Sequence, residues 1–105
     1  MRNDVPISEQ YRLAALDWVT QDATARLLEE GKTTYLAQRK AALGDIPDSK
    51  AEKLVKSSPD WADYIKKMVA AKTAANRQKV EVEFLRMRFM ERNSEEATNR
   101  AERRM

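Results

Sequence analysis

The sequence has 105 residues, of which 42% are apolar and 35% charged, with only two glycines and a formal net charge of +3 at pH 7. It contains no cysteine and no histidine, which excludes disulfides, thiolate nucleophiles, imidazole bases and zinc sites built from these ligands. The length allows one domain, residues 1–105, and the composition is typical of long helices rather than of a sheet.

The charge is distributed unevenly along the chain. Residues 1–31 carry three basic and six acidic side chains, residues 32–58 carry six basic and three acidic, and residues 66–92 carry eight basic and three acidic. This asymmetry predicts that an anionic partner would meet the middle and C-terminal helices rather than the first one.

The first predicted helix covers about residues 9–43, with Ser8 as its N-cap after Pro6. Gly31 lies within this pattern and indicates a kink, a break into two helices, a close approach of another helix, or a tolerated surface glycine. Trp18 is expected in the core or in an oligomer interface. Residues at three- and four-residue steps form an amphipathic stripe: Leu13, Leu16, Val19, Ala23 and Leu27.

A short connecting helix is predicted at about residues 50–56. Gly44 is placed to end the first helix in a left-handed conformation, and Ser49 with Glu52 matches a capping box. Ser58 and Pro59 then form a second start signal, as N-cap and first helical residue.

The long third helix is predicted over about residues 59–93, followed by a frayed extension over 94–105. Its apolar residues recur at coiled-coil spacing, interrupted by Gln78, which could fix the register of the pairing. We call the apolar set the seam and predict that it forms an oligomer interface: Trp61, Met68, Ala75, Val82, Leu85 and Phe89. The predicted fold is therefore all-α, a long helical hairpin or coiled coil with a short connecting helix that assembles into oligomers.

The basic residues of the third helix are the candidate nucleic-acid-binding set. Each cation could contact a phosphate of a nucleic-acid backbone, while the aromatic side chains between them could stack on bases. Alternatively, the cations flank the seam and pair with acids of a neighbouring helix, and the aromatics belong to the seam itself. The set comprises Lys66, Lys67, Lys72, Arg77, Lys79, Arg86, Arg88 and Arg92.

No catalytic centre is predicted. Neither Gly31 nor Gly44 belongs to a phosphate-binding loop, and the neighbouring carboxylates of the chain diverge around their helices. We therefore expect no enzymatic activity, no metal, no cofactor and no small-molecule substrate. Because no apolar run approaches the roughly 18 residues of a membrane span, we expect a cytoplasmic protein without membrane contact.

The arrangement resembles the short coiled-coil proteins of phage and prophage recombination regions and is distantly similar to the UvsY-like recombination mediators. The resemblance spans about residues 25–95 and rests on the acidic first helix, the turn written Pro47-Asp48-Ser49-Lys50-Ala51-Glu52, the start written Ser58-Pro59-Asp60-Trp61 and the long basic helix. It implies a ring-forming helical oligomer that binds single-stranded DNA and helps to load a recombinase.

Two hypotheses of function follow. The first is a non-enzymatic, phage-type recombination accessory protein that binds single-stranded DNA as a helical oligomer. The alternative is a protein–protein adaptor, an assembly subunit or a small phage-encoded inhibitor that uses the seam without nucleic acid.

Overall fold

Three α-helices make up the chain in the computed structural model, which describes residues 5–104. Helix α1 spans Ile7–Ala42, helix α2 spans Asp48–Lys56 and helix α3 spans Pro59–Arg104, and no strand occurs within the described residues. The all-α prediction is confirmed, and so is a helical hairpin in which a short helix connects two long ones.

The start of α3 follows the sequence prediction, whereas α1 begins earlier than predicted. The Oγ atom of Ser58 accepts a hydrogen bond from the backbone N–H of Trp61 at 3.2 Å, as an N-cap does. In α1, the carbonyl oxygen of Pro6 accepts the N–H groups of Glu9 and Gln10, each at 3.0 Å. The predicted N-cap Ser8 is wrong, because the Pro6 carbonyl already supplies the acceptor that starts the first turn.

The predicted capping box of α2 is also wrong. The helix begins at Asp48 after Pro47, and no side chain caps it. The N–H of Ala51 donates to the Pro47 carbonyl, which moves Ser49 inside the first turn. The carboxylate of Glu52 instead pairs with Lys56 at 2.8 Å along the helix, so it does not reach back to the helix start.

The two long helices also end differently from each other. Helix α1 stops before Gly44, whose φ of +86° is the left-handed conformation predicted for it. Helix α3 continues to Arg104, beyond the end predicted near Asn93, and residues 91–104 are all exposed. The last predicted residue of the extension, Met105, lies outside the described residues.

Contacts divide the chain into two compact units. Within the described residues, unit 1 contains residues 5–20 and 76–104, and unit 2 contains residues 21–75, so that both long helices contribute to each unit. The grouping of all 105 residues into one helical domain stays a prediction.

Unit 2 is built around an aromatic stack between antiparallel segments of α1 and α3. The ring of Tyr35 stacks on Tyr64 with centroids 4.6 Å apart and on Trp61 at 6.2 Å. Arg39, one turn after Tyr35, lies over the Tyr35 ring and pairs with Asp60. The buried apolar side chains of this unit are Ala25, Ala51, Val55 and Ala75.

Gly31 is a point of close approach, one of the four alternatives left open by the sequence. The helix continues through it, and a Cβ atom added there would lie 3.1 Å from the hydroxyl oxygen of Tyr64. That hydroxyl donates a hydrogen bond to the carbonyl of Leu28. Glycine thus leaves the space in which the Tyr64 hydroxyl reaches the backbone of α1.

Unit 1 pairs the N-terminal half of α1 with the C-terminal half of α3. The rings of Tyr11 and Phe89 meet edge to face with centroids 6.4 Å apart, and Leu85 is buried. The side-chain amide of Gln78 donates to the carbonyl of Ala14 at 3.1 Å. The polar residue that interrupts the seam therefore has a defined partner on α1, which fixes the alignment of the two segments.

The amphipathic stripe predicted on α1 does not form the packing face of the helix. Its large members are exposed, with exposed fractions of 50% for Leu13, 52% for Leu16, 56% for Val19 and 72% for Leu27. The face of α1 that is buried or half-buried carries other residues: Tyr11, Ala14, Trp18, Ala25, Leu28 and Tyr35. Small residues on that face let the helix backbones approach closely, which a count of large apolar side chains does not reveal.

Candidate nucleic-acid interface

The eight predicted cationic side chains all lie on α3 and are all exposed. They fall in both units. Unit 2 holds Lys66, Lys67 and Lys72, and unit 1 holds Arg77, Lys79, Arg86, Arg88 and Arg92.

In unit 2, one cation is engaged by the neighbouring helix. The ammonium group of Lys72 lies 3.3 Å from a carboxylate oxygen of Glu29 on α1, and both side chains remain about half exposed to solvent. An exposed pair of this kind contributes little to stability. It does partly neutralise Lys72, as predicted by the interpretation in which cations flank the seam and pair with acids.

In unit 1, two cations have neighbours on α3 itself. Arg92 lies 3.6 Å from the carboxylate of Glu96 one turn later, and the guanidinium of Arg88 lies 5.9 Å from the ring centroid of Phe84. Neither contact removes the positive charge from solvent, because both arginine side chains are exposed.

The remaining cations of unit 1 form no ion pair with any acid of residues 5–104. They are Arg77, Lys79 and Arg86. Unpaired and exposed, they retain their full charge for an anionic partner.

Four of the five predicted cations of unit 1 lie along two flanks of α3, and Arg92 follows Leu85 on the seam row. Lys79 directly follows Gln78 and Arg86 directly follows Leu85, so these two lie seven residues apart on one side of the seam. Arg77 and Arg88 directly precede a seam-facing position and lie on the other side. The positive charge therefore borders the α1–α3 contact on both sides.

The seam residues are occupied by contacts within the chain. Trp61 stacks on Tyr35, and Phe89 meets Tyr11. Ala75 and Leu85 are buried, and the other predicted members, Met68 and Val82, are half-buried. Their assignment to an interface between chains stays a prediction, since in the single chain this face of α3 already packs on α1.

The aromatic side chains divide clearly by exposure. Among the described residues, Phe84 is the only exposed aromatic side chain, with an exposed fraction of 47%, whereas the other six are half-buried. The aromatics that the sequence offered as possible stacking platforms are Phe89, between the cations, and Trp61 and Tyr64 upstream of them. Phe89 meets Tyr11, and the other two rings face Tyr35. The signal that could have found Phe84 is its position two residues from Val82, on the far side of the helix from the seam.

Two ion pairs, each within a single helix, shift the pKa values of their carboxyl groups. The hydrogen bond from Arg12 lowers the pKa of Glu9 below its ordinary value of 4.5, and the same bond raises the pKa of Arg12. The hydrogen bond from Lys56 likewise lowers the pKa of Glu52. Within residues 5–104, no three acidic side chains lie close enough to hold a metal ion.

A search of the described helices for a membrane span finds none that is both long and apolar enough. Comparison of the chain with protein-family models, curated proteins and solved structures gives no match.

Proposed function

We propose that this protein is a non-enzymatic, cytoplasmic accessory protein of the phage recombination type, which binds single-stranded DNA as a helical oligomer. The observation that carries the proposal is the set of exposed cations without an ion pair on α3 of unit 1: Arg77, Lys79 and Arg86. The recombinase partner and the phage origin come from the sequence resemblance alone.

The chemistry of these cations fits a backbone contact rather than base readout. Lysine and arginine side chains release counterions when they contact phosphates, and this gain does not depend on base sequence. Arg88 adds a further exposed guanidinium on α3 that can contact a phosphate. The preference for single strands over duplex DNA comes from the sequence resemblance.

The test measures the binding of a labelled single-stranded oligonucleotide by fluorescence anisotropy over a range of salt concentrations. In the double variant Lys79→Gln, Arg86→Gln, two phosphate contacts are removed. The slope of log K against log salt should fall by about 1.4 in magnitude, at roughly 0.7 per contact, and the affinity at low salt should drop at least about tenfold.

The matched control removes the same amount of positive charge at the C-terminal end of the same helix, from residues outside the predicted set. The double variant Arg103→Gln, Arg104→Gln alters two exposed cations and should bind with nearly the affinity and salt slope of the wild type. Equal losses in both double variants would show a general charge effect instead of an interface. Absence of binding by the wild type at low salt would refute the proposal.

A second candidate function is a protein–protein adaptor, and the distribution of exposed apolar side chains favours it. Eleven large apolar side chains are exposed in the described chain, and seven of them belong to unit 1: Leu13, Leu16, Val19, Val80, Phe84, Met87 and Met90. Rows of large apolar side chains left open to solvent on two helices are typical of protein interaction surfaces. Recovery of a bound protein from a nuclease-treated extract would favour the adaptor over the DNA-binding protein.

A further inference from the structure

Both long helices of unit 1 expose an apolar surface on the side that faces away from their mutual contact. On α1, the outer stripe consists of Leu16 and Val19, with exposed fractions of 52% and 56%, and of Leu13 at its edge, which is 50% exposed and also borders the α1–α3 contact beside Gln78 and Leu85. On α3, the outer row consists of Val80, Phe84 and Met87, with exposed fractions of 69%, 47% and 57%. The steps of three and four residues place each set along one face of its helix.

The positions of these sets relative to the α1–α3 contact follow from helix geometry. Leu16 lies two residues from both Ala14 and Trp18, which corresponds to about 200° around the helix from either. Val80 lies two residues from both Gln78 and Val82 and is therefore on the far side of α3. Because Ala14 and Gln78 are joined by a hydrogen bond, the outer stripe and the outer row lie on opposite sides of the helix pair.

We infer that the outer stripe on α1 of one copy packs against the outer row on α3 of a second copy. The inference rests on the oligomeric part of the proposed function and names the surfaces that would join the copies. Since the two surfaces lie on opposite sides, a contact between two copies leaves one surface free at each end. Such a head-to-tail contact extends the assembly beyond a dimer.

Charge complementarity selects this pairing over contact between two identical surfaces. The α1 segment of unit 1, residues 5–20, carries one cation and two anions, whereas residues 76–92 of α3 carry five cations and three anions. Opposite net charges favour contact between α1 and α3, and like net charges disfavour α1 on α1 or α3 on α3.

The two surfaces are also large enough for a specific contact. Half-exposed side chains of this size leave roughly 80–100 Å² each, so six of them contribute about 500–600 Å² of apolar area. Because apolar atoms make up slightly more than half of an ordinary interface, this corresponds to about 1,000 Å² of total buried area. That area is at the lower limit for a specific association.

The experiment uses light scattering on the full chain and on two single variants, each with one surface broken. Leu16→Asp disrupts the outer stripe and Phe84→Asp disrupts the outer row, and both positions are exposed, so the fold should tolerate the change. We expect the wild type to exceed the mass of two chains and each variant alone to have the mass of one chain, 12.1 kDa. A mixture of the two variants should form a one-to-one pair through their intact surfaces.

The other outcomes contradict the inference. If Phe84→Asp dimerises alone, the contact joins α1 to α1; if Leu16→Asp dimerises alone, it joins α3 to α3. At about 100 μM, contacts of micromolar affinity would be populated. If the wild type is still monomeric at this concentration, the surfaces are covered by a different protein or stay exposed to solvent.

Folding and DNA binding are checked separately. Circular dichroism should give the wild-type helical signal for both variants, and Val19→Glu with Met87→Glu provides a second pair at other positions of the same surfaces. Anisotropy with a single-stranded oligonucleotide distinguishes the two proposals. A monomeric wild type that binds DNA overturns the head-to-tail contact alone, whereas an assembly with the expected pattern and no DNA affinity overturns only the DNA-binding function.

Discussion

Replacement of Gly31 by alanine tests the contact around which unit 2 is packed. The added Cβ would lie 3.1 Å from the hydroxyl oxygen of Tyr64, closer than the ordinary contact range of 3.4–4 Å. The hydroxyl cannot retreat freely, because it donates to the Leu28 carbonyl and its ring stacks at 4.6 Å on Tyr35. A shift of a few tenths of an ångström would therefore disturb both interactions.

The magnitude follows from opposing effects. Alanine favours a helix interior over glycine by about 1 kcal/mol. Two effects lower the stability instead. The hydrogen bond of Tyr64 is weakened, which costs about 0.5–1.5 kcal/mol. The contact at position 31 is overpacked, which costs about 1–3 kcal/mol when the neighbours are held in place. We expect Gly31→Ala to lower the free energy of unfolding by roughly 0.5–3.5 kcal/mol in the wild-type background.

The Tyr64→Phe background removes the opposing atom. Without the hydroxyl, the Cβ at position 31 has space, and only the gain in helix propensity should remain. Gly31→Ala should then raise the free energy of unfolding by about 1 kcal/mol, which gives a coupling energy of about 1.5–4.5 kcal/mol between the two positions.

The assay is urea denaturation of the four proteins of this cycle, followed by circular dichroism. Ala37→Gly, at an exposed position of the same helix, calibrates the propensity term and should cost about 1 kcal/mol. The reasoning is refuted if Gly31→Ala changes the free energy of unfolding equally in the Tyr and Phe backgrounds. Position 31 would then tolerate a methyl group beside the hydroxyl.

Two further predictions concern single side chains. Gln78→Ala removes the hydrogen bond to the Ala14 carbonyl and should lower the free energy of unfolding by about 1 kcal/mol in urea denaturation. Lys79→Ala, at the adjacent exposed position, should change it by less than about 0.5 kcal/mol. Equal effects of the two variants would mean that the hydrogen bond does not contribute to stability. Lys56 lowers the pKa of Glu52 below 4.5, so this pair stabilises the fold above that pH and is lost as the pH falls through the lowered pKa. The melting temperature of Glu52→Gln should accordingly lie below that of the wild type at about pH 6, and the difference should shrink as the pH falls below 4.5; a constant difference would contradict the assignment.

The seam of α3 could be predicted from the sequence, but the identity of its partner could not. A heptad spacing specifies that one face of a helix must be covered, and the same spacing is satisfied by a helix of the same chain or of another chain. The contacts of Trp61 with Tyr35 and of Phe89 with Tyr11 show that α1 covers this face within the chain.

The packing face of α1 could not be recognised for a related reason. A search for large apolar residues selects Leu13 and Leu16, which are exposed. The face that packs contains small side chains such as Ala14 and Ala25, and Ala25 is only 5% exposed. Aromatic rings such as Tyr35 pack on the same face, so it mixes small and aromatic side chains and is not selected by a search for aliphatic residues.

The predicted cations were easier to place, because solvent exposure of charged helix residues is the default. What periodicity could not decide was which of them would meet an acid. Lys72 has Glu29 opposite it, whereas Lys79 and Arg86 have no such partner in the described chain. That difference depends on which residues of α1 lie alongside α3, which is a property of the pairing and not of α3 itself.

Because the seam of α3 packs on α1 of the same chain, α3 could bind DNA and a second copy of the chain at the same time. Lys79 and Arg86 each follow a seam-facing residue directly, so they lie beside the α1–α3 contact, whereas the outer row begins at Val80 on the far side of α3. A second copy bound to the outer row would therefore leave these two cations exposed. Head-to-tail addition would repeat the same cations along the assembly, and several weak phosphate contacts on one strand bind far more tightly than one. A helix pair with weak individual contacts could in this way hold a long single strand while each copy remains exchangeable.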